Sequence, residues 1–230
     1  MTAPAPQLVV FDVDGTLVDS QHLIVGAMEY AFAAAGQPMP ARETVLGIVG
    51  LSLPEAMALL AAELPEGTAG QLVEHYRERS IAQRRAGGAA AVAPLYPGAR
   101  AALERLSARP GTLIGVATGK ARRGLDHVVE AHGLGHLLAT VQTADDHPSK
   151  PHPSMLLAAL AETGGDPRRA TMVGDTEFDI AMGRAAGMAT VGVAWGYHPP
   201  ARLVAAGADA IVDSFDALDA AIERVAERRP

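Results

Sequence analysis

Short apolar runs alternate with longer amphipathic stretches over most of the chain. Runs at 7–11, 112–117, 137–142, 170–173 and 189–193 are mostly apolar and rich in Val, which predicts strands buried on both faces. Between them, 99–108, 121–131, 154–162 and 178–186 carry apolar residues at helical spacing, and several end at a glycine suited to a C-cap. Strand followed by helix, repeated, implies parallel pairing and an α/β fold with a doubly wound, mostly parallel sheet. The alternation has one long interruption. From residue 17 to about 90 only helical periodicity appears, at 21–35, 53–64 and 68–85, so an all-helical cap is expected within a core formed by 1–16 and 92–230. Gly15 and the segment from Gly87-Gly88 to Pro97-Gly98 are the expected hinges of this 17–91 insertion.

Composition narrows the function classes. The 230 residues are 49% hydrophobic and carry a formal net charge of -7, which fits a folded protein with a small soluble partner and argues against a nucleic-acid surface. With no cysteine, disulfides, thiolate nucleophiles and Cys-ligated zinc are excluded, so catalysis must use oxygen or nitrogen groups. The start of the chain lacks a charged, secretory-type leader, and the longest uncharged stretch, 185–201, is broken by glycine and proline. The expectation is a cytoplasmic protein with no membrane partner. All cationic residues are Arg except Lys120 and Lys150.

In doubly wound sheets ligands sit beyond the carboxyl ends of the strands, and four segments there carry candidate chemistry. Asp12-Val13-Asp14-Gly15-Thr16 places two carboxylates at i and i+2 after the first strand, which reads as a paired site or as a turn. An EF-hand is a poor match, because its glycine stands sixth in the loop and Gly15 is fourth. Thr118-Gly119-Lys120 offers a hydroxyl, a free N–H and a cation at a helix start, a junction suited to an anion. A Walker A loop is excluded, being one residue short between its glycines and having Ala121 where a Ser or Thr should hold magnesium. Lys150-Pro151-His152-Pro153 holds a lysine on a stiff path into a helix, or exposes it in a loop. Gly174-Asp175-Thr176-Glu177-Phe178-Asp179 reads as a pair of acids on one helix face, or as an N-cap aspartate followed by an acidic first turn.

Taken in order, these four segments resemble the motifs of the haloacid dehalogenase (HAD) superfamily, and the chain is similar to phosphatases of the phosphoglycolate phosphatase type, with a helical cap after the first motif. The resemblance implies a Rossmann-like core and a Mg2+-dependent phosphatase acting on a small phosphorylated metabolite through an aspartyl-phosphate. Asp12 is then the nucleophile and Asp14 the acid and base. Thr118, Gly119 and Lys150 hold the phosphoryl oxygens. Asp12, Asp175 and the backbone carbonyl of Asp14 hold the metal, with Asp179 behind them. Asp14 speaks against dehalogenases and phosphonate-cleaving relatives, and Thr16 favours a phosphatase over a sugar phosphomutase. A pyrophosphatase, a mutase and a non-catalytic phosphate sensor are the alternatives, and either a monomer or a homodimer is compatible.

In such a protein the cap selects the substrate. Gln21 and His22, near the first motif, are candidate substrate contacts, as is Lys120, and the loop 47–53 is expected at the site. Arg122 and Arg123 either supply positive potential or are solvated. His132 and His136 are interrupted by Gly133 and Gly135 and make an improbable metal pair. His147 and His152 read as structural, and Trp195, Tyr197 and His198 as packing at the rim.

Overall fold

The computed structural model describes residues 6–87 and 93–227. Six parallel strands form one sheet: β1 Gln7–Phe11, β2 Thr112–Thr118, β3 Leu138–Thr143, β4 Ala170–Gly174, β5 Ala189–Val193 and β6 Ala210–Val212, in the order β3-β2-β1-β4-β5-β6. Within β1, Val9 and Phe11 join one apolar cluster while Leu8 and Val10 join another, so the strand is buried on both faces. That is why it reads as a continuous apolar run rather than an alternating one. Each large apolar side chain so buried contributes about 1.5–3 kcal/mol.

Helices α1 Gln21–Ala34, α2 Arg42–Leu46, α3 Leu53–Leu60 and α4 Thr68–Ala86 are the described elements before α5 Ala99–Ser107. The first four share a core of their own, built on Ile24, Met28, Phe32, Val45, Met57 and Leu72. After β2 come α6 Arg122–Ala131, α7 Ser154–Thr163, α8 Glu177–Ala185, α9 Pro200–Ala205 and α10 Leu218–Glu227. Helices α5, α6 and α10 cover one sheet face, and α7 and α8 the other.

Five strands and seven helices match the expected elements to within a few residues, except that α3 stops four residues short of the expected 64. The short α2 and α9, the edge strand β6 and the C-terminal α10 were not anticipated. The last of these shows apolar spacing at Leu218, Ala221, Ile222 and Val225. Part of the expected second hinge, 88–92, lies outside the described residues, as does the expected 91/92 boundary. Where the two connections are described they run side by side: Val18 bridges Leu95 antiparallel, Asp19 N donates to Pro94 O and Tyr96 N donates to Leu17 O. Leu17 and Val18 pack with the sheet's cluster rather than with the cap's. Among the described residues no helix is long and apolar enough to cross a membrane.

Candidate active site

The strand order reverses between β1 and β4, which are paired neighbours with Phe11 opposite Val173. Asp12 follows β1 and Asp175 follows β4, so sheet topology alone brings them together at the switch point. Asp12, Asp175 and Asp179 are each at most 1% exposed, and one ligand atom from each lies within 4.8 Å of the others.

Each carboxylate is held differently. Asp179 stands at the third position of α8 and closes a capping box: its Oδ2 accepts from Thr176 N at 3.0 Å and from Thr176 Oγ1 at 2.7 Å. The helix therefore begins on Thr176, and the expectation of an aspartate N-cap is corrected. Asp175 precedes the helix, and its Oδ1 accepts from Thr16 Oγ1 at 2.8 Å while its Oδ2 accepts from Tyr197 N at 2.8 Å. A Cβ on Gly15 or Gly196 would run into the Asp175 side chain, and one on Gly174 into Asp179, so three glycines make room for two acids.

Lys150 Nζ lies 2.8 Å from Asp12 Oδ1 and 2.7 Å from Asp179 Oδ1 with its side chain fully buried. Apart from that ionic contact at Oδ1, neither oxygen of Asp12 has a partner of hydrogen-bond geometry among the described residues. Burial pushes Asp12 up to about 7, with Lys150 pulling the other way and the neighbouring Asp179 and Asp14 adding to the rise. Asp175 is also raised well above the ordinary carboxyl value, first by burial and then by Asp12 and Asp179. Burial alone would lower Lys150, but the two carboxylates outweigh it and hold the ammonium above its usual range.

Asp14 lies outside this cluster. Its Oδ1 accepts from Ser20 Oγ at 2.6 Å and its Oδ2 pairs with Lys120 Nζ at 2.9 Å. Thr118 ends β2 and Gly119 follows it, and Thr118 Oγ1 accepts from Lys120 N at 3.2 Å. Against Gly119 lies the cap: a Cβ there would sit 2.5 Å from the carbonyl oxygens of both Gly50 and Leu51. Ser52 N donates to Ser149 Oγ at 2.8 Å, and His198 joins the two sides by accepting from Glu177 N at 3.1 Å and bonding Gly47 O at 3.0 Å. Burial, reinforced by Arg202, lowers the His198 pKa, which keeps the ring neutral for this double role.

Between these walls is a cavity of about 530 Å³ lined by Asp12, Asp14, Thr118, Gly119 and Lys120 from below and by the loop from Ile48 to Pro54 from above. Residues 48–53 of the loop expected at the site, and Lys120, line this cavity. Gln21 and His22 do not line the cavity. Helix α1 turns Ile24 and Met28 inward, one turn apart, which leaves His22 exposed and Gln21 bonded to Arg42. Arg122 is likewise spent on Asp126, whereas Arg123 reaches the cavity. His132 bonds Ala93 O, and His147 bonds Ser154 and Gln142.

Sequence reasoning reads Trp195 and Tyr197 only as rim packing and gives Ser20 no contact, yet all three brace the site. Tyr197 fixes Asp175 through its backbone and Ser20 through its hydroxyl at 2.9 Å, Trp195 Nε1 donates to Thr16 O at 3.1 Å, and Ser20 orients Asp14. The available signal was a glycine, Gly196, amid bulky residues just past a strand.

A family model described as Haloacid dehalogenase-like hydrolase matches residues 9–193. The chain is 36% identical over 215 residues to the Dickeya dadantii protein named "Probable phosphatase IndB", covering 90% of each. It is 31% identical over 228 residues to a phosphoglycolate phosphatase of Agrobacterium fabrum, covering 95% of this chain and 93% of the relative. A haloacid dehalogenase-like family hydrolase from Streptococcus pneumoniae shares the fold with a TM-score of 0.80 at 26% identity, covering 94% of this chain and 97% of that one. By the span of that family match and these identities, the chain belongs to the haloacid dehalogenase-like hydrolases.

Proposed function

We propose that this chain is a Mg2+-dependent phosphatase that hydrolyses a small phosphorylated metabolite through an aspartyl-phosphate on Asp12. The observation that carries the reading is a buried Asp12 with an Oδ2 that no protein group engages, set between a buried ammonium and a second carboxylate. Such an oxygen is costly unless a ligand or cation completes it. The buried carboxylate cluster of Asp12, Asp175 and Asp179 has the oxygen chemistry of a hard-cation site; by the family resemblance Asp12, Asp175 and the backbone carbonyl of Asp14 would hold the cation. Asp179 already pairs with the Lys150 ammonium, whereas Asp175 accepts only the neutral donors Thr16 and Tyr197, so Asp179 positions Lys150 and Asp175 is left to face a cation. When bound, the cation supplies neutralisation between two anions, the carboxylate and the phosphoryl group.

The remaining work falls to the chain's own groups. Asp12 attacks phosphorus in line, and the bond to the leaving oxygen breaks as Asp14 gives that oxygen a proton. Asp14 then takes a proton from the water that cleaves the aspartyl-phosphate. Its two partners, Ser20 and Lys120, aim it from the cap side and the core side. Thr118 Oγ1, Gly119 N–H and Lys150 Nζ are the donors for the transferring oxygens. The cap, 17–91 by the sequence reading, excludes water when its loop seats on Gly119. The test is turnover of an aryl phosphate by the purified chain with magnesium, abolished by a chelator and by Asp12→Asn. Retained activity in Asp12→Asn overturns the mechanism. Pyrophosphate and a sugar 1-phosphate in the same panel, with products identified, separate phosphatase from pyrophosphatase and mutase.

A further inference from the structure

The cavity is larger and more apolar than a two-carbon phosphate requires. About 530 Å³ is the size of a site for a drug-sized ligand, of which the phosphoryl group occupies one corner beside Asp12. Its walls include Ile24, Met28, Ile48, Val49, Leu53 and Ile81. A small, highly charged ligand would leave these side chains facing trapped water.

Two further lining residues give the cavity a second pole. Arg84 comes from the last turns of α4 and Arg123 from the first turn of α6. Among the described residues neither guanidinium has a carboxylate within ion-pairing distance, whereas Arg77 and Arg122 nearby are paired with Glu74 and Asp126. Arg84 and Arg123 sense each other as like charges, and burial together with that repulsion lowers the Arg84 pKa. Arg84 is partly buried and Arg123 exposed, so water screens part of their repulsion, and an anion between them would gain from both guanidinium groups at once. Tyr76 stands on the same wall, its phenol kept protonated by burial and by the Asp14 carboxylate, and offers a donor beside them.

We propose that Arg84 and Arg123 form an anion subsite, and that the substrate is a phosphomonoester whose apolar body, bulkier than a two-carbon chain, carries a second anionic group to that pair. This rests on the phosphatase reading for the phosphoryl end only. Arg84 belongs to α4 and Arg123 to α6, so a second anion held by both would tie the helical insertion to the core only when the correct substrate is in place.

The experiment separates binding from turnover. Full-length Asp12→Asn protein with magnesium is titrated calorimetrically with phenyl phosphate, 4-carboxyphenyl phosphate and phosphoglycolate. The carboxylated aryl phosphate is expected to bind about 10–100-fold more tightly than phenyl phosphate, and more tightly than phosphoglycolate. Arg84→Met and Arg123→Met should each remove about tenfold of that preference, and Arg84→Lys should restore part of it. Thermal unfolding of each variant checks that the fold is kept. Equal binding of the two aryl phosphates, or arginine variants that weaken both alike, overturns the subsite. Tightest binding of phosphoglycolate overturns the apolar body. If the wild-type chain hydrolyses none of the three while Asp12→Asn still shows the preference, the phosphatase reading falls and the subsite stands.

Discussion

Replacing Lys150 with Met tests the centre of the site through stability as well as rate. The ammonium is fully buried, 2.8 Å from Asp12 and 2.7 Å from Asp179, two of three carboxylates whose ligand atoms lie within 4.8 Å of one another. Methionine preserves most of the apolar stem and removes the charge. Breaking a buried pair by deleting one partner costs about 3–5 kcal/mol, because the other is left uncompensated. For a chain of this size that is roughly a 6–20 °C fall in Tm. The deficit should shrink on acidification, since protonating the carboxyls removes the charges that Lys150 balanced. The assay is thermal unfolding of both proteins in chelator at pH 8 and pH 5, and the wild-type advantage should be larger at pH 8. Turnover should fall by about 10²–10³, the scale of losing one preorganised donor. Lys150→Arg keeps the charge but forces a longer planar group into a filled slot, at about 1–3 kcal/mol of strain. It should fold and lose most activity. A Lys150→Met protein as stable as wild type at pH 8, or near-normal turnover by Lys150→Arg, would refute the reasoning.

Three further outcomes follow from the geometry. Asp12 has a folded-state pKa of about 7, above the ordinary carboxyl value of 3.8, so at Asp12 the metal-free folded chain binds more protons than the unfolded chain between about pH 4 and 7; that contribution to stability is present below the window and lost as pH rises through it, on the order of 4 kcal/mol, and the raised Asp175 acts in the same direction. Magnesium should therefore raise Tm more at pH 8 than at pH 6, and an equal or reversed effect contradicts the assignment. Gly119→Ala places a methyl group 2.5 Å from two cap carbonyls, so kcat/KM should drop about 10–100-fold with little change in Tm, measured on an aryl phosphate. His198→Ala strips Gly47 O and Glu177 N of their partner, costing about 1–3 kcal/mol for each group left unsatisfied, and should speed amide exchange near Gly47.

The parts of the molecule that were legible in sequence are those set by local rules. Strand β1 is buried on both faces, so its apolar run has no competing reading as an exposed element, and the acids at its end and at the end of β4 follow from the fold class. What local rules miss is helical phase and long-range closure. Gln21 and His22 are adjacent in sequence to the first motif, yet α1 points Ile24 and Met28 at the cavity. Asp175 depends on Thr16, which is 159 residues away, and on the backbone of Tyr197. Arg84 looks like one more charge in a polar helix until the fold sets it on the wall of the cavity that Arg123 also lines. Strand β6 has three residues and an edge position, too short to carry a pattern.

The two lysines show why composition was informative at the site. In a chain that otherwise uses arginine, Lys150 touches Asp12 and Lys120 touches Asp14, so each aspartate of the first motif has its own ammonium. Arginine presents a planar fork that matches a carboxylate through both oxygens, whereas an ammonium is a point charge. Lys150 meets only Oδ1 of Asp12 and leaves Oδ2 without a protein partner. A guanidinium in that place would engage both oxygens, and a carboxylate so clamped has none left to offer phosphorus or a cation. At Asp14 both oxygens are held instead: Ser20 takes Oδ1 and Lys120 takes Oδ2, which fixes the plane of the carboxyl that, in the proposed mechanism, hands a proton across the cavity.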